Sequence, residues 1–191
     1  VIAPVSTEQA PPVNVPGIDK PVVVVTGRIE GTENWTNNFY YVLRGAVFVE
    51  SGATLNIQAG TRVIGESGSV GTMIVLRGGR LNAIGTATQP VVFTSDQPVG
   101  TRARGDWGGL IINGRAPVNI EGGEGVGEAD TGVYGGTDPN DNSGTLRYVR
   151  VEFAGVVGLN SAVRRQQQNC GHGDSCRMRH GDFSEEGSFP S

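Results

Sequence analysis

Histidine is nearly missing from this chain. His172 and His180 are its two copies, both near the C-terminal end, so the body of the chain holds no Ser-His-Asp relay. Cysteine is as scarce: Cys170 and Cys176 exclude a disulfide-dense scaffold. Aromatic residues make up 6% and charged residues 18% of the sequence. A net charge of −4 argues against a nucleic-acid partner, because phosphate binding needs a basic surface. No run of about 20 apolar residues is present, which excludes a transmembrane helix. Before the tail, no stretch of about 15 residues is both free of Gly and Pro and periodic at 3.6, so long helices are not expected. The glycines show no G-X-Y period, and none forms a phosphate loop opening onto a helix.

Glycine is abundant instead, 31 of 191 residues, and Val, Ile, Leu and Thr carry the apolar segments, which favours strands joined by tight turns. Between Arg44 and Phe93 the sequence repeats itself at an offset of roughly 25–29 residues. Phe48-Val49-Glu50-Ser51-Gly52 lies over Val75-Leu76-Arg77-Gly78-Gly79, and Thr54-Leu55-Asn56-Ile57 over Arg80-Leu81-Asn82-Ala83. Gly60-Thr61 lies over Gly85-Thr86, and Arg62-Val63-Ile64 over Val91-Val92-Phe93. Leu110-Ile111-Ile112 aligns with Ile74-Val75-Leu76 as a third copy. Each copy alternates apolar runs with glycine turns, the pattern of a three-faced coil. The expected fold is all-β, a short right-handed parallel β-helix of about four to five stacked coils. Inward positions are assigned to Phe48, Leu55, Ile57, Val63, Met73, Val75, Leu81 and Ile84, with Gly52, Gly60, Gly65, Gly78, Gly79 and Gly85 at the corners.

Three segments are expected: an extended, proline-containing leader over 1–20, a β-helix domain over 21–157, and an irregular or disordered tail over 158–191. The run Pro21–Thr26 predicts a first strand covering one end of the stack, and 144–153 a further strand pair. Residues 121–144 form a long Gly- and acid-rich loop of the kind that usually carries function. The opening Val-Ile-Ala-Pro, without Met, is read as a processed or fragmentary form.

Three stretches extend the comparison beyond the internal repeat: 47–55 (VFVESGATL), 105–117 (GDWGGLIINGRAP) and 135–150 (GGTDPNDNSGTLRYVR). As a set they resemble the N-terminal part of a family of bacterial secreted or surface-associated right-handed parallel β-helix proteins. The resemblance implies an exported protein at the outer cell surface, often anchored there, with no established catalytic residues. Family members continue with further coils after the Arg147-Tyr148-Val149-Arg150 strand, whereas this chain departs from the pattern near Gly158. A truncated or frame-shifted C-terminus would leave an uncapped coil end, a sticky edge.

Candidate chemistry is sparse. Asp138, Asn140, Asp141 and Asn142 are oxygen ligands at short spacing, suited to Ca²⁺; the competing reading is a turn whose side chains cap the backbone. Cys170 and Cys176 are spaced for a disulfide, and with His172 and His180 for a zinc site of non-standard spacing; two unrelated thiols in a loose tail is the competing reading. Asp106, Arg115, Arg147, Arg150 and Glu152 are the scattered charged residues from which a polysaccharide-cleaving site would be drawn. Asn34-Trp35-Thr36 fits the N-glycosylation pattern, a weak signal. Together these predict a secreted or cell-surface structural or adhesive β-helix, self-assembling head to tail through its coil ends. A carbohydrate-binding or polysaccharide-degrading module with surface glycan as partner is the alternative.

Overall fold

In the computed structural model, residues 17, 19–128 and 131–155 are described, together with the backbone of 176–177. The described chain is a parallel β-helix, right-handed as parallel crossovers nearly always are. No α-helix occurs among the described residues; the helical content is two 3-10 turns, Ser67–Ser69 and Glu121–Gly123. No helix there is long and apolar enough to cross a membrane.

Among the described residues fourteen strands are present: β1 (Val22–Ile29), β2 (Thr32–Trp35), β3 (Tyr40–Val49), β4 (Thr54–Ile57), β5 (Arg62–Gly65), β6 (Thr72–Val75), β7 (Arg80–Ile84), β8 (Val91–Ser95), β9 (Gly109–Ile112), β10 (Glu124–Val126), β11 (Val133–Gly135), β12 (Gly144–Arg147), β13 (Val149–Val151) and β14 (Cys176–Arg177). Each of β1 and β3 bends at a positive-φ glycine, Gly27 (φ 73°) and Gly45 (φ 64°), and so serves two faces. The first face stacks the N-terminal half of β1, that of β3, then β5, β8 and β13. The second stacks the C-terminal halves of β1 and β3, then β6 and β9. The third stacks β2, β4, β7 and β12. Among the described residues four coils are complete, and a fifth begins at β13 and Ala154, which bridges to Trp107.

Inward side chains line up between coils. Val23, Tyr41, Val63, Phe93 and Val151 form one row; Ile29, Val49, Val75 and Ile112 a second; Trp35, Ile57, Ala83 and Leu146 a third. Leu55 sits on Leu81, and both are fully buried. Trp35 stacks on Tyr41 at 4.4 Å between ring centroids, joining the third face to the first. A fully buried Leu contributes about 1.5–3 kcal/mol, and none of these rows can form within one coil.

Two glycines exist to let something else in. A Cβ on Gly65 would lie 2.5 Å from the Trp107 side chain. Trp107 is completely buried there, and its Nε1 donates to the Glu152 carbonyl at 2.7 Å. Gly144 lies so close to coil three that a Cβ would come within 2.1 Å of the Leu81 carbonyl oxygen. Non-glycine residues also turn corners at positive φ: Val70 (54°), Tyr148 (49°) and Phe153 (61°). Tyr148 alone carries the chain from the third face to the first, so 144–153 is two strands on adjacent faces and not a pair within one sheet.

The expected register holds on the third face and slips by one residue on the other two. Phe48 aligns with Ile74, not Val75; Val63 aligns with Phe93, not Val92; Leu110 aligns with Met73, not Ile74. A slip of one reverses which side chains point inward. Accordingly Val47 and Val49 are fully buried, whereas Phe48 points out, with the Arg28 guanidinium 5.1 Å from its ring centroid. Ile84, also assigned inward, is 47% exposed. Leu55, Ile57, Val63, Met73, Val75 and Leu81 are buried as expected. The residues 121–144, read as a loop, contain an antiparallel hairpin of β10 and β11. The backbone of β14, in the stretch expected to be irregular, pairs antiparallel with β12.

Leu81→Ala is expected to lower the unfolding free energy by roughly 2–5 kcal/mol, because neighbouring coils cannot collapse into the space. Chemical denaturation measures it, and a loss under about 1 kcal/mol would place Leu81 outside the core.

Candidate functional site

Strand length is fixed by the rows it must fill, so variation in this fold falls at the corners. The first corner, between the first and second faces, is closed by polar side chains. Arg44 donates through Nε and Nη2 to both Glu66 carboxylate oxygens at 2.7–3.0 Å, and Ser69 Oγ donates to Glu66 Oε2 at 2.6 Å. The Arg44 guanidinium chiefly, helped by Ser69 and opposed by burial, holds the Glu66 carboxyl below its ordinary value. Asp106 Oδ2 accepts from Ser95 Oγ at 2.6 Å and from the Ala103 amide at 3.0 Å. These groups are engaged in holding the corner.

The second corner, between the second and third faces, differs. It comprises residues 30–31, 50–53, 76–79 and 113–143 in successive coils. Each coil places a charged residue beside its corner glycine: Glu30 before Gly31, Glu50 before Ser51-Gly52, Arg77 before Gly78, Arg115 after Gly114. An open cleft of about 460 Å³ lies on the first two coils, lined by Arg28, Glu30, Gly31, Glu50 and Ser51. Arg28 pairs with Glu50 across it. Arg115 Nη2 donates to Ser51 Oγ at 3.2 Å, carrying the polar surface onward to the fourth coil. Gly78, at φ 82°, makes room for that reach: a Cβ there would lie 2.5 Å from Arg115 Nη2. Arg77 Nη1 donates to Glu124 Oε1 at 2.6 Å and to the Gly135 carbonyl at 3.0 Å, tying the β10–β11 hairpin to the same corner.

Exposure decides what these pairs do. The Arg28 side chain is 58% exposed and that of Glu124 52%. Their partners Glu50 and Arg77 are more covered, at 24% and 30%, and ion pairs with an exposed member contribute about 0–1 kcal/mol, so the exposed Arg28 and Glu124 hold little of the fold together. The corner therefore offers donors and acceptors of both signs at intervals of one coil, about 4.8 Å.

The predicted site residues fall in several places. Asp138, Asn140, Asp141 and Asn142 lie in the insertion that leaves this corner. Asp138 Oδ1 accepts from the Asn140 amide at 2.9 Å, Asp141 Oδ2 from the Arg115 amide at 2.7 Å, and Asn142 Oδ1 from the Gly144 amide at 2.9 Å. Asp138 and Asn142 cap local turns, whereas Asp141 ties the end of the insertion back to its start at Arg115. Among the described residues no group of three or more His, Cys, Asp or Glu is placed to hold a metal. Cys170, His172 and His180 lie outside the described residues, as does the Cys176 side chain, so neither the disulfide nor the zinc reading is placed. Of the five scattered charged residues, Arg150 and Glu152 pair with each other, and the five are not gathered into one site. Asp106 is at the first corner and Arg115 at the second, while Glu152 accepts from Thr94 Oγ1 at 3.1 Å and pairs with Arg150. Arg147 ends the third face, 5.4 Å from the Tyr148 ring centroid. Sequence reasoning missed Arg28, Glu30, Glu50, Ser51 and Arg77. The available signal was the charge recurring beside each corner glycine.

A family model described as a pectate-lyase-like β-helix domain matches residues 27–169, well over half of the 191-residue chain. Comparison with curated proteins found no match, and comparison with solved structures found none.

Calcium at Asp138, Asn140, Asp141 and Asn142 stands as a proposal that one variant separates from the turn. If the carboxylate only caps the Arg115 amide, Asp141→Ala lowers stability by about 1 kcal/mol, equally in calcium and in chelator. A wild-type thermal shift on adding calcium, lost in the variant, would establish the ion instead.

Proposed function

The chain belongs to the family of pectate-lyase-like β-helix domains, and from that premise we propose that it is the rigid module of an exported, cell-surface protein that holds a polysaccharide along its second corner. The observation that carries the reading is the cleft lined by Arg28, Glu30, Glu50 and Ser51, continued by Arg115 and Arg77 on later coils. A sugar chain presents hydroxyls and ring oxygens at regular intervals, and a stack presents side chains at regular intervals. Adjacent groups of opposite sign give both the donors and the acceptors that sugar hydroxyls need. Rigidity helps, since a preformed surface loses little conformational freedom on binding. The role is adhesive: the module retains the glycan and displays the insertion at 113–143 beside it.

A second reading, polysaccharide cleavage, is favoured by Glu30 and Glu50 lining the same cleft as Arg28. Paired carboxylates beside a cation are what acid–base cleavage draws on. One experiment separates the two. The full chain is screened against a panel of acidic and neutral polysaccharides by affinity electrophoresis and calorimetry, with unsaturated and reducing ends monitored in parallel. Binding without product release is expected, and Arg28→Ala should weaken it about tenfold through loss of one charge-assisted contact. Release of new ends would move the assignment to an enzyme. Binding to none of the panel, or binding untouched by substitutions at Arg28 and Glu50, would remove the corner as the site.

A further inference from the structure

Glu33 occupies an inward position in a stack whose aligned positions are apolar or small. It aligns with Leu55, Leu55 with Leu81, and Leu81 with Gly144. Leu55 and Leu81 are fully buried, whereas Glu33 is half-buried in the first coil. Its Oε2 accepts from Trp35 Nε1 at 3.0 Å, and Trp35 is itself almost wholly buried in the core. The carboxylate therefore lies over the N-terminal mouth of the apolar interior. Among the described residues, β1 pairs only with β3 and β2 only with β4, so this end presents strand edges of the kind that recruit another chain.

We propose that Glu33 guards this end, closing the stack to a second copy of the chain. A coil added onto β2 would trap the carboxylate between Leu55 and an incoming apolar side chain, with the Trp35 indole as its hydrogen-bond donor. Desolvating a carboxylate without a cation opposes association strongly. An inward-pointing charge is one of the devices by which sheet edges avoid pairing. The opposite end of the third face already carries β14, laid antiparallel on β12, a direction that a further parallel coil would not continue. Head-to-tail growth, expected through open coil ends, needs the end that Glu33 closes.

The test is light scattering and sedimentation velocity on the full chain over a wide concentration range, comparing wild type, Glu33→Val and Glu33→Gln. Wild type is expected to stay monomeric. Glu33→Val, which restores an apolar row, should self-associate at least about tenfold more tightly, with Glu33→Gln in between. Wild-type chains that assemble as tightly as Glu33→Val, or a folded Glu33→Val chain no more associated than wild type, would overturn the proposal. If Glu33→Val loses its far-ultraviolet β-sheet signal, Glu33→Gln decides alone: folded and no more associated than wild type, it too would overturn it.

Discussion

No single coil of this chain can bury its own inward face. Leu55 leaves water because Leu81 lies on it, and Ile57 because Trp35 and Ala83 lie on either side. The inward rows are therefore joint property of adjacent coils, and stability accrues at the interfaces between them. Everything else follows from keeping successive coils in register. Glycines stand where backbones must approach, as Gly144 does over Leu81, and Trp107 fills the space that Gly65 leaves open. Glu33 stands in the first coil of the described residues, on Leu55.

The same constraint assigns function to the corners. A strand that gained a residue would turn its whole row from the core to the solvent, whereas a corner tolerates insertion as long as its two ends stay in place. The two long insertions obey this. Residues 96–106 enter at the first corner and are held by Asp106 and Ser95. Residues 113–143 enter at the second, held by Arg77 and Arg115. The first corner is closed inward on polar contacts, while the second leaves an open cleft on the first two coils. That contrast, more than the acidity of the insertion itself, directs attention to the second corner.

How much of this the sequence disclosed depended on the outward residues. On the third face Thr54 and Asn56 separate Leu55 and Ile57, so alternation and register were both visible. On the second face Phe48, Ile74 and Ile111 alternate with the inward Val47, Val49, Met73 and Val75, and Ile74 is buried even so. With both sides apolar, period two disappears and an alignment by residue type slips by one. Ile84 misled in the same way, as an apolar residue at an outward position. The cleft was hidden for another reason. Arg28 is distant in sequence from Glu50, and Ser51 from Arg115, and each pair meets only because coils stack, while Asp138, Asp141 and Asn142 of the acidic loop, conspicuous as text, accept from backbone amides. Glu33 carried no signal at all until its alignment with Leu55 was known.

The shared row is tested most directly by a double-mutant cycle on Leu55 and Leu81, with each residue replaced by Ala singly and together and unfolding followed in denaturant. Side chains in contact across coils should couple by about 0.5–3 kcal/mol, the double variant losing less than the sum of the single losses. Additive losses within about 0.3–0.5 kcal/mol would mean that the two leucines do not touch, and the stack as described here would be contradicted.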